Sequence, residues 1–312
     1  MAREPIIYVS GQFVPQSEAR ISVLDHAVLY GDGIFETASA HGGRIFKLDE
    51  HIDRGFRSMA AIALKPPCSR QAMRALIIEA VRLNGFADAY IKWIVTRGSN
   101  GRPLMDPTGC APNLIILVQP YLSRASAERA AQGLTLKTVA IRRPPGQVLD
   151  PQIKSINYLN LVLAKLEARA AGADEALLLD LNGRVCEATG CNVFVLKDRR
   201  LLTPRHDILA GITRKTVLEL APKQGLATEE TDLELYDAYT ADEIILSSTA
   251  GGLLAVANID GRRISEGRPG PVFRTLDSAY RELIASDKHG TPVPFGPGEP
   301  EGRPQDVRLT SL

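Results

Sequence analysis

Lys154 is the residue of this sequence with the most chemistry to offer. It stands in Asp150-Pro-Gln-Ile-Lys-Ser-Ile-Asn-Tyr-Leu-Asn160, close to Ile153 and Ile156 and just ahead of an apolar run. An amine drawn into such surroundings loses proton affinity, because burial disfavours its charged form. A neutral lysine amine is a nucleophile toward aldehydes, which is how Schiff-base enzymes begin. The plainer alternative is a lysine whose stem lies along apolar surface at a helix start while its head stays in water. The rest of the chain has to decide between them.

Two segments look built to hold a phosphate. Leu209-Ala-Gly-Ile-Thr-Arg214 runs from a loop into a helix, with Gly211, Ile212 and Thr213 at the junction. Small residues there let the first backbone N–H groups approach an anion, aided by the positive end of the helix. Ser247-Ser-Thr-Ala-Gly-Gly252 follows a strand and offers the Ser248 and Thr249 hydroxyls with a pliable backbone suited to an anion nest. An N-cap at Thr213 and an ordinary turn at Ser248 are the plain alternatives.

Glu187, on the return strand of a hairpin, is expected to share a face with Val185 and Thr189. A carboxylate beside a heteroaromatic nitrogen keeps that nitrogen protonated and makes the ring an electron sink. Tyr158 follows Lys154 by four, so both face one pocket if the helix begins near Ser155. Tyr30 and Phe35 flank Gly31-Asp-Gly33 and could wall a pocket, whereas this glycine pair lacks the third glycine of a dinucleotide fingerprint. Arg97 and Arg102 bracket a glycine-rich loop and suit the reading of a carboxylate. Arg54 could neutralise a phosphate or pair with Glu50 at i,i+4. Asp49, Glu50, His51 and Asp53 do not make a metal site, since neighbours on a helix point apart and no second histidine stands four residues away.

These side chains need a scaffold, and 312 residues suffice for two domains. Hydrophobic content of 45%, charged content of 23% and a net charge of +1 describe an ordinary globular protein with no polyanion-binding balance, so nucleic acid is not an expected partner. No stretch reaches the ~20 apolar residues that span a bilayer, and the apolar run at the start is too short for a signal sequence. The four cysteines show neither zinc spacing nor a disulfide framework, which points to reduced thiols and a cytoplasmic location. Strands are expected near Ile6, Gly11, Arg44, Tyr90, Asn113, Leu134 and Glu243, with hairpins turning at Asn182-Gly183 and Lys197-Asp198. Helices are expected over 51–64, 71–83, 213–220 and 271–286, and after Lys154 with an apolar stripe through Ile156, Leu159, Leu163 and Leu166. The mixture is α/β (α+β), and its hairpins argue against a purely parallel sheet. The expected division is an N-terminal α/β domain at 1–119, a linker at 120–127 and a C-terminal domain at 128–287. A Gly/Pro-rich tail at 288–312 is expected to be flexible or loosely draped.

Taken in order, these segments resemble the pyridoxal-phosphate enzymes of fold type IV. That group holds branched-chain aminotransferases, D-amino acid aminotransferases, (R)-selective amine transaminases and aminodeoxychorismate lyase. The likeness runs from about Ile6 to Ile284. It rests on Tyr30-Gly-Asp-Gly-Ile-Phe-Glu36, Leu48-Asp-Glu-His-Ile-Asp-Arg54, Lys154-Ser-Ile-Asn-Tyr-Leu-Asn160 and Asp174-Glu-Ala-Leu-Leu-Leu179. Gly183-Arg-Val-Cys-Glu187, Leu209-Ala-Gly-Ile-Thr-Arg214 and Ser248-Thr-Ala-Gly251 complete it.

The resemblance implies a smaller N-terminal domain and a larger C-terminal domain with a mixed, barrel-like sheet. The cofactor it implies is pyridoxal 5'-phosphate, linked to Lys154 as the Schiff-base lysine and proton shuttle. Arg54, Ile212, Thr213 and Thr249 resemble the phosphate cup, Glu187 the partner of the pyridine nitrogen, Tyr158 that of the ring hydroxyl, and Leu209 the residue under the ring. Tyr30, Phe35, Arg97 and the N–H groups of Thr249 and Ala250 resemble the substrate side, with Arg102 matching a carboxylate-binding arginine of D-amino acid enzymes. The implied activity moves an amino group between an amino acid, hydrophobic or branched, and a 2-oxo acid, with the D-amino acid, (R)-amine and lyase activities as alternatives. In the group the site lies between the domains and is completed by a second subunit, which implies a homodimer at least. Two segments depart: Thr37-Ala-Ser39 replaces the Gly, apolar, Arg run of branched-chain members, and Leu104 replaces a histidine of D-amino acid enzymes.

Overall fold

The structure, a computed structural model, describes residues 4–121 and 125–296. It has two compact units: the described parts of Met1–Leu122 and Ile284–Leu312 form the first, and that of Ser123–Leu283 the second.

In the first unit, strands β1 (Ile6–Val9), β2 (Gln12–Pro15), β3 (Gly33–His41), β4 (Arg44–Phe46), β5 (Ala89–Ser99) and β6 (Ala111–Pro120) build an antiparallel sheet. The short helix α1 (His26–Tyr30) enters β3, and α2 (Leu48–Ala61) and α3 (Arg70–Asn84) follow β4. The Asp25 side chain caps α1, and the helix stops at Gly31 in the left-handed region, φ 67°, a conformation that favours glycine. β3 is not among the strands expected from the sequence. Its Gly, Ala and Ser content is poor in β-forming side chains, yet it runs buried almost from end to end. Pairing with β5 from Gly33↔Thr96 to Ala40↔Ala89 fixes it, and its small residues let α2 pack closely.

In the second unit, α4 (Ala127–Gln132) precedes β7 (Leu134–Arg142), and α5 (Gly146–Leu149) and α6 (Leu159–Ala170) lead to β8 (Glu175–Leu179) and β9 (Val185–Ala188). Then come β10 (Asn192–Lys197), β11 (Arg200–Pro204), α7 (Ile212–Leu220), β12 (Ala227–Thr231), α8 (Leu235–Tyr239), β13 (Glu243–Ser248), β14 (Gly252–Ile259), β15 (Arg262–Arg263) and α9 (Pro271–Ala285). The sheet is mixed, with β7 parallel to β8 and β14, and β11 parallel to β12. A pairing between β9 and β10 closes β10-β13-β14-β7-β8-β9 into a ring. Leu136, Leu177, Val193, Val195, Ile244, Leu246, Leu254 and Val256 fill one core there, as expected of the inward alternation of a small barrel.

α6 packs on the other face of β7 and β8, through Leu161, Ala164 and Ala168 against Val139, Ala176 and Leu178. The expected core stripe is therefore displaced. Leu159, Leu163 and Leu166 face outward with Val162, and Leu159 is 71% exposed. Alanines on the buried side let the helix sit close to the sheet, so the larger side chains take the outside.

The expected loose tail is also corrected within 288–296. β16 (Gly290–Pro292) pairs antiparallel with β4 and so extends the first unit's sheet. Lys47 N–H donates to His289 O at 2.8 Å and Val293 N–H to Gly43 O at 2.9 Å, while Thr291 and Val293 are buried. An otherwise bare sheet edge gains a partner through backbone bonds, which side-chain composition does not report. The remainder of the expected tail, and positions 122–124 of the expected linker, lie outside the described residues.

Candidate active site

Lys154 is held on a string of tight turns rather than on a helix. Ile153 N–H bonds Asp150 O at 3.0 Å, Ser155 N–H bonds Ile153 O at 2.8 Å, and Tyr158 N–H bonds Ile156 O at 3.0 Å. α6 begins only after Tyr158, so the expected helical start near Ser155 is replaced by turns. They still bring the pair together: Lys154 Nζ donates to the Tyr158 hydroxyl at 3.4 Å and lies 5.8 Å from its ring centre. Both side chains are half-buried.

Glu187 is aimed by a bulge. Leu177 pairs with Ala188 and Leu179 with Val185, so three steps along β9 oppose two along β8. The extra residue lets Val185 and Ala188 both enter the core, so plain alternation does not set the direction of Glu187 as expected. Bulges turn side chains in this way beside functional sites. Its Oε1 stands 2.8 Å from Arg143 Nε, and its Oε2 accepts from Leu209 N–H at 3.1 Å and Asn192 Nδ2 at 3.2 Å. Burial pushes this carboxyl above its usual range, and Arg143, the Leu209 N–H and Lys154 offset only part of that. The Lys154 charge is thus felt at Glu187. Arg143 and Asn192 are partners that no sequence motif singles out.

Asn192 ties Glu187 to the 209–213 loop, because its Nδ2 also donates to Leu209 O at 2.9 Å. Gly211 precedes α7 as its N-cap, and no side chain caps that end. A side chain at Gly211 would collide with Asn192 Oδ1, so glycine is needed there for close approach. Ile212 and Thr213 open the helix and are buried. Thr213 is therefore inside the first turn and not the N-cap. Helix geometry leaves the N–H groups of that turn without intrahelical acceptors. In the second candidate loop, the Ser248 hydroxyl accepts from Gly251 N–H at 3.1 Å, and Thr249 and Ala250 form the half-buried turn between β13 and β14. Ser247 Oγ is buried without a hydrogen-bond partner.

The remaining candidates belong to the first unit. Arg54 does not pair with Glu50. Its Nε and Nη2 donate to the two oxygens of buried Glu36 at 2.6 and 2.8 Å, and His51 Nδ1 lies 3.1 Å from the same carboxylate. Burial pushes Glu36 up, but Arg54 and His51 outweigh it and hold the carboxyl far below its usual range. Arg97 spends Nε on Asp32 at 2.5 Å, Nη1 on Ala63 O and Nη2 on Ile62 O. A carboxylate reader at Arg97 would have to displace those bonds. Arg102 is exposed on the loop that follows β5. Phe35 is half-buried with the Lys92 ammonium 4.7 Å from its ring centre, and Tyr30 stacks edge-on with His26. Asp49 and Asp53 pair with Arg74 and Arg70. No group of three or more His, Cys, Asp or Glu among the described residues is arranged to hold a metal.

The chain belongs to class IV of the aminotransferases, whose family model matches residues 33–259. It is a transaminase of mixed α/β fold. A Methanocaldococcus jannaschii protein, provisionally described as a branched-chain-amino-acid aminotransferase, is 41% identical over 279 residues, 89% of this chain and 96% of its own. The Pseudomonas aeruginosa branched-chain-amino-acid aminotransferase is 35% identical over 289 residues, 91% and 94% of the two chains. The Thermoproteus uzoniensis branched-chain aminotransferase, solved with norvaline, superposes with a TM-score of 0.87 at 30% identity, covering 93% of this chain and all of its own. Another branched-chain amino acid aminotransferase of similar fold was solved with pyridoxamine 5'-phosphate.

Proposed function

We propose that this transaminase uses pyridoxal 5'-phosphate and moves the amino group of branched-chain or similar hydrophobic amino acids to a 2-oxo acid. The observation that carries the cofactor reading is the joined set Lys154, Tyr158, Glu187 and Leu209–Thr213, all within the second unit. The residues suit the group: an amine for an aldehyde, an uncapped helix start for a phosphate, and a buried carboxylate for a ring nitrogen. Ser247 Oγ, buried without a hydrogen-bond partner and paired in register with Asn192, adds a polar atom to the same region. When bound, the cofactor supplies a reactive carbonyl and an electron-withdrawing ring.

In this reading Lys154 Nζ is the covalent anchor, and once released it carries the proton to and from the substrate carbon. Tyr158 keeps its hydroxyl beside that amine and meets the ring hydroxyl. Glu187 would keep the ring nitrogen protonated, and Leu209 would pack against the ring. Gly211, Ile212, Thr213, Ser248 and Thr249 hold the phosphate, while Arg54, whose Nε and Nη2 are engaged by Glu36, stays a phosphate candidate by the resemblance alone. Thr249 and Ala250 in the second unit, and separately Tyr30, Phe35, Arg97 and Arg102 in the first, stay as substrate candidates by the resemblance, with Arg97 the weakest because its donors are engaged. The relatives named above support the branched-chain substrate.

The protein should be yellow as purified and should bleach with L-leucine, L-isoleucine or L-valine, regaining colour with 2-oxoglutarate. Turnover by a colourless, cofactor-free protein would sink the cofactor reading. Transfer from D-amino acids or an (R)-amine, with none from the L-series, would replace the substrate.

A second copy of the chain is part of this proposal. Its support is the outward aliphatic row Leu159, Val162, Leu163 and Leu166 on α6, since contiguous exposed apolar surface marks interaction sites. Leu163→Glu should lower the mass seen by sedimentation while leaving the fold intact; unchanged assembly excludes this face. The absence of a disulfide among the four cysteines, all in described residues, supports a cytoplasmic location, which fractionation of the source cells would test. No described helix is long and apolar enough to cross a membrane.

A further inference from the structure

Arg143 follows the last residue of β7 and is buried. Its N–H donates to Leu179 O at 2.9 Å, which ties it to the end of β8. Its side chain turns to Glu187, where Nε stands 2.8 Å from Oε1 with both side chains less than one-tenth exposed. The contact runs through Nε alone, a single-pronged charge pair and not a two-pronged fork. On the opposite oxygen, Leu209 N–H and Asn192 Nδ2 complete the set. Every neighbour of this carboxylate named above is a donor.

We propose that Arg143 is a positioning residue of the aminotransferase: it fixes the Glu187 carboxylate through Oε1 and supplies the buried countercharge under which that carboxylate meets the cofactor ring. The proposal rests on the cofactor reading given above. Without a countercharge a carboxyl this deeply buried takes up a proton and ceases to be an anionic partner. Lys154 is the other cation acting on Glu187, but in the proposed reaction its charge changes as it binds and releases. Arg143 stays charged throughout. The adjoining Cys186 thiol is pushed up by burial, with Asp180, Glu187 and Asp207 adding to the rise, and so stays neutral.

The test compares Arg143→Met, Arg143→Lys, Glu187→Gln and the Arg143→Met/Glu187→Gln double variant with the parent holoenzyme. Pyridoxal 5'-phosphate affinity is read from neutral to alkaline pH, and the Glu187 carboxyl is titrated by carbon-13 NMR in the apoprotein. Arg143→Met should weaken cofactor affinity about 10- to 100-fold, as when supporting partners of a ligating group are lost. The deficit should be larger toward lower pH, where Glu187 then holds a proton, and its titration midpoint should rise. Arg143→Lys should restore most of the affinity. In the Glu187→Gln background, Arg143→Met should change affinity by less than about twofold, because its effect passes through Glu187. An equal loss in both backgrounds, or an unmoved Glu187 midpoint, overturns the proposal. If Arg143→Met does not fold, Arg143→Gln takes its place in both measurements. A parent protein that binds no pyridoxal 5'-phosphate defeats the cofactor reading, while the carboxyl titration still decides the pairing.

Discussion

Each unit of this protein buries one glutamate against one arginine, and the two pairs behave in opposite ways. In the first unit, Arg54 grips both oxygens of Glu36 through aligned hydrogen bonds and His51 adds a third partner. That carboxyl is driven well below its ordinary range although burial opposes it. In the second unit, Arg143 meets Glu187 through Nε alone at 2.8 Å, and burial wins. Proximity of charges therefore does not settle the outcome; the number and direction of donors do. The first pair is built as a fixed brace between β3 and α2. The second leaves a carboxylate able to gain from a further cation, as the proposed pairing with a protonated ring requires.

Replacing Glu36 by Ala should produce the largest effect, a stability loss of about 3–5 kcal/mol in urea unfolding, because it strands a buried arginine. A loss below about 1 kcal/mol would erase the contrast. Glu187→Gln should cost the apoprotein less, about 1–3 kcal/mol, as the amide oxygen can still accept from Leu209 N–H, while cofactor retention falls sharply. Asn192→Ala, which removes the link between Glu187 and the 209–213 loop, should cost about 1–1.5 kcal/mol. Its effect on cofactor affinity should exceed its effect on melting temperature.

The finest distinction is in pH. Glu36 sits below its unfolded value, so its contribution is present above the ordinary carboxyl range and is lost only as pH falls through the lowered folded value. Glu187 sits above its unfolded value, so its contribution is present in acid and is lost as pH rises through the folded value. In the cofactor-free protein, parent minus Glu36→Gln stability should grow with rising pH, whereas parent minus Glu187→Gln should shrink. Parallel slopes would show that the two pairs are alike.

Much of the second unit is legible in the sequence, because its signals are local. Lys154 and Tyr158 are four apart, Asn182-Gly183 sets a hairpin turn, and Gly211 marks a close approach at a helix start. The less legible features depend on non-local partners. Glu36 sits in a strand of small residues whose identity comes from β5 and α2. Arg143 matters through a bulge 44 residues later, whose register depends on β8. The phase of α6 escapes a reading by side-chain size, because its large residues suggest the core while alanines make it. An arginine deep in a core is nonetheless a signal that can be sought, since such residues seldom lack an acidic partner.

The strand Gly290–Pro292 bears on how the chain is made. A ribosome releases β1 through β6 first, and β4 then lacks its outer neighbour until the whole second unit has been added. The first unit is thus a bracket that opens before the second unit is made and closes after it. During that interval Arg44, Ile45 and Phe46 present an open backbone edge, a setting in which nascent chains mispair. Truncation before residue 289 would make that state permanent, so such chains should be the first of any deletion series to accumulate as aggregates.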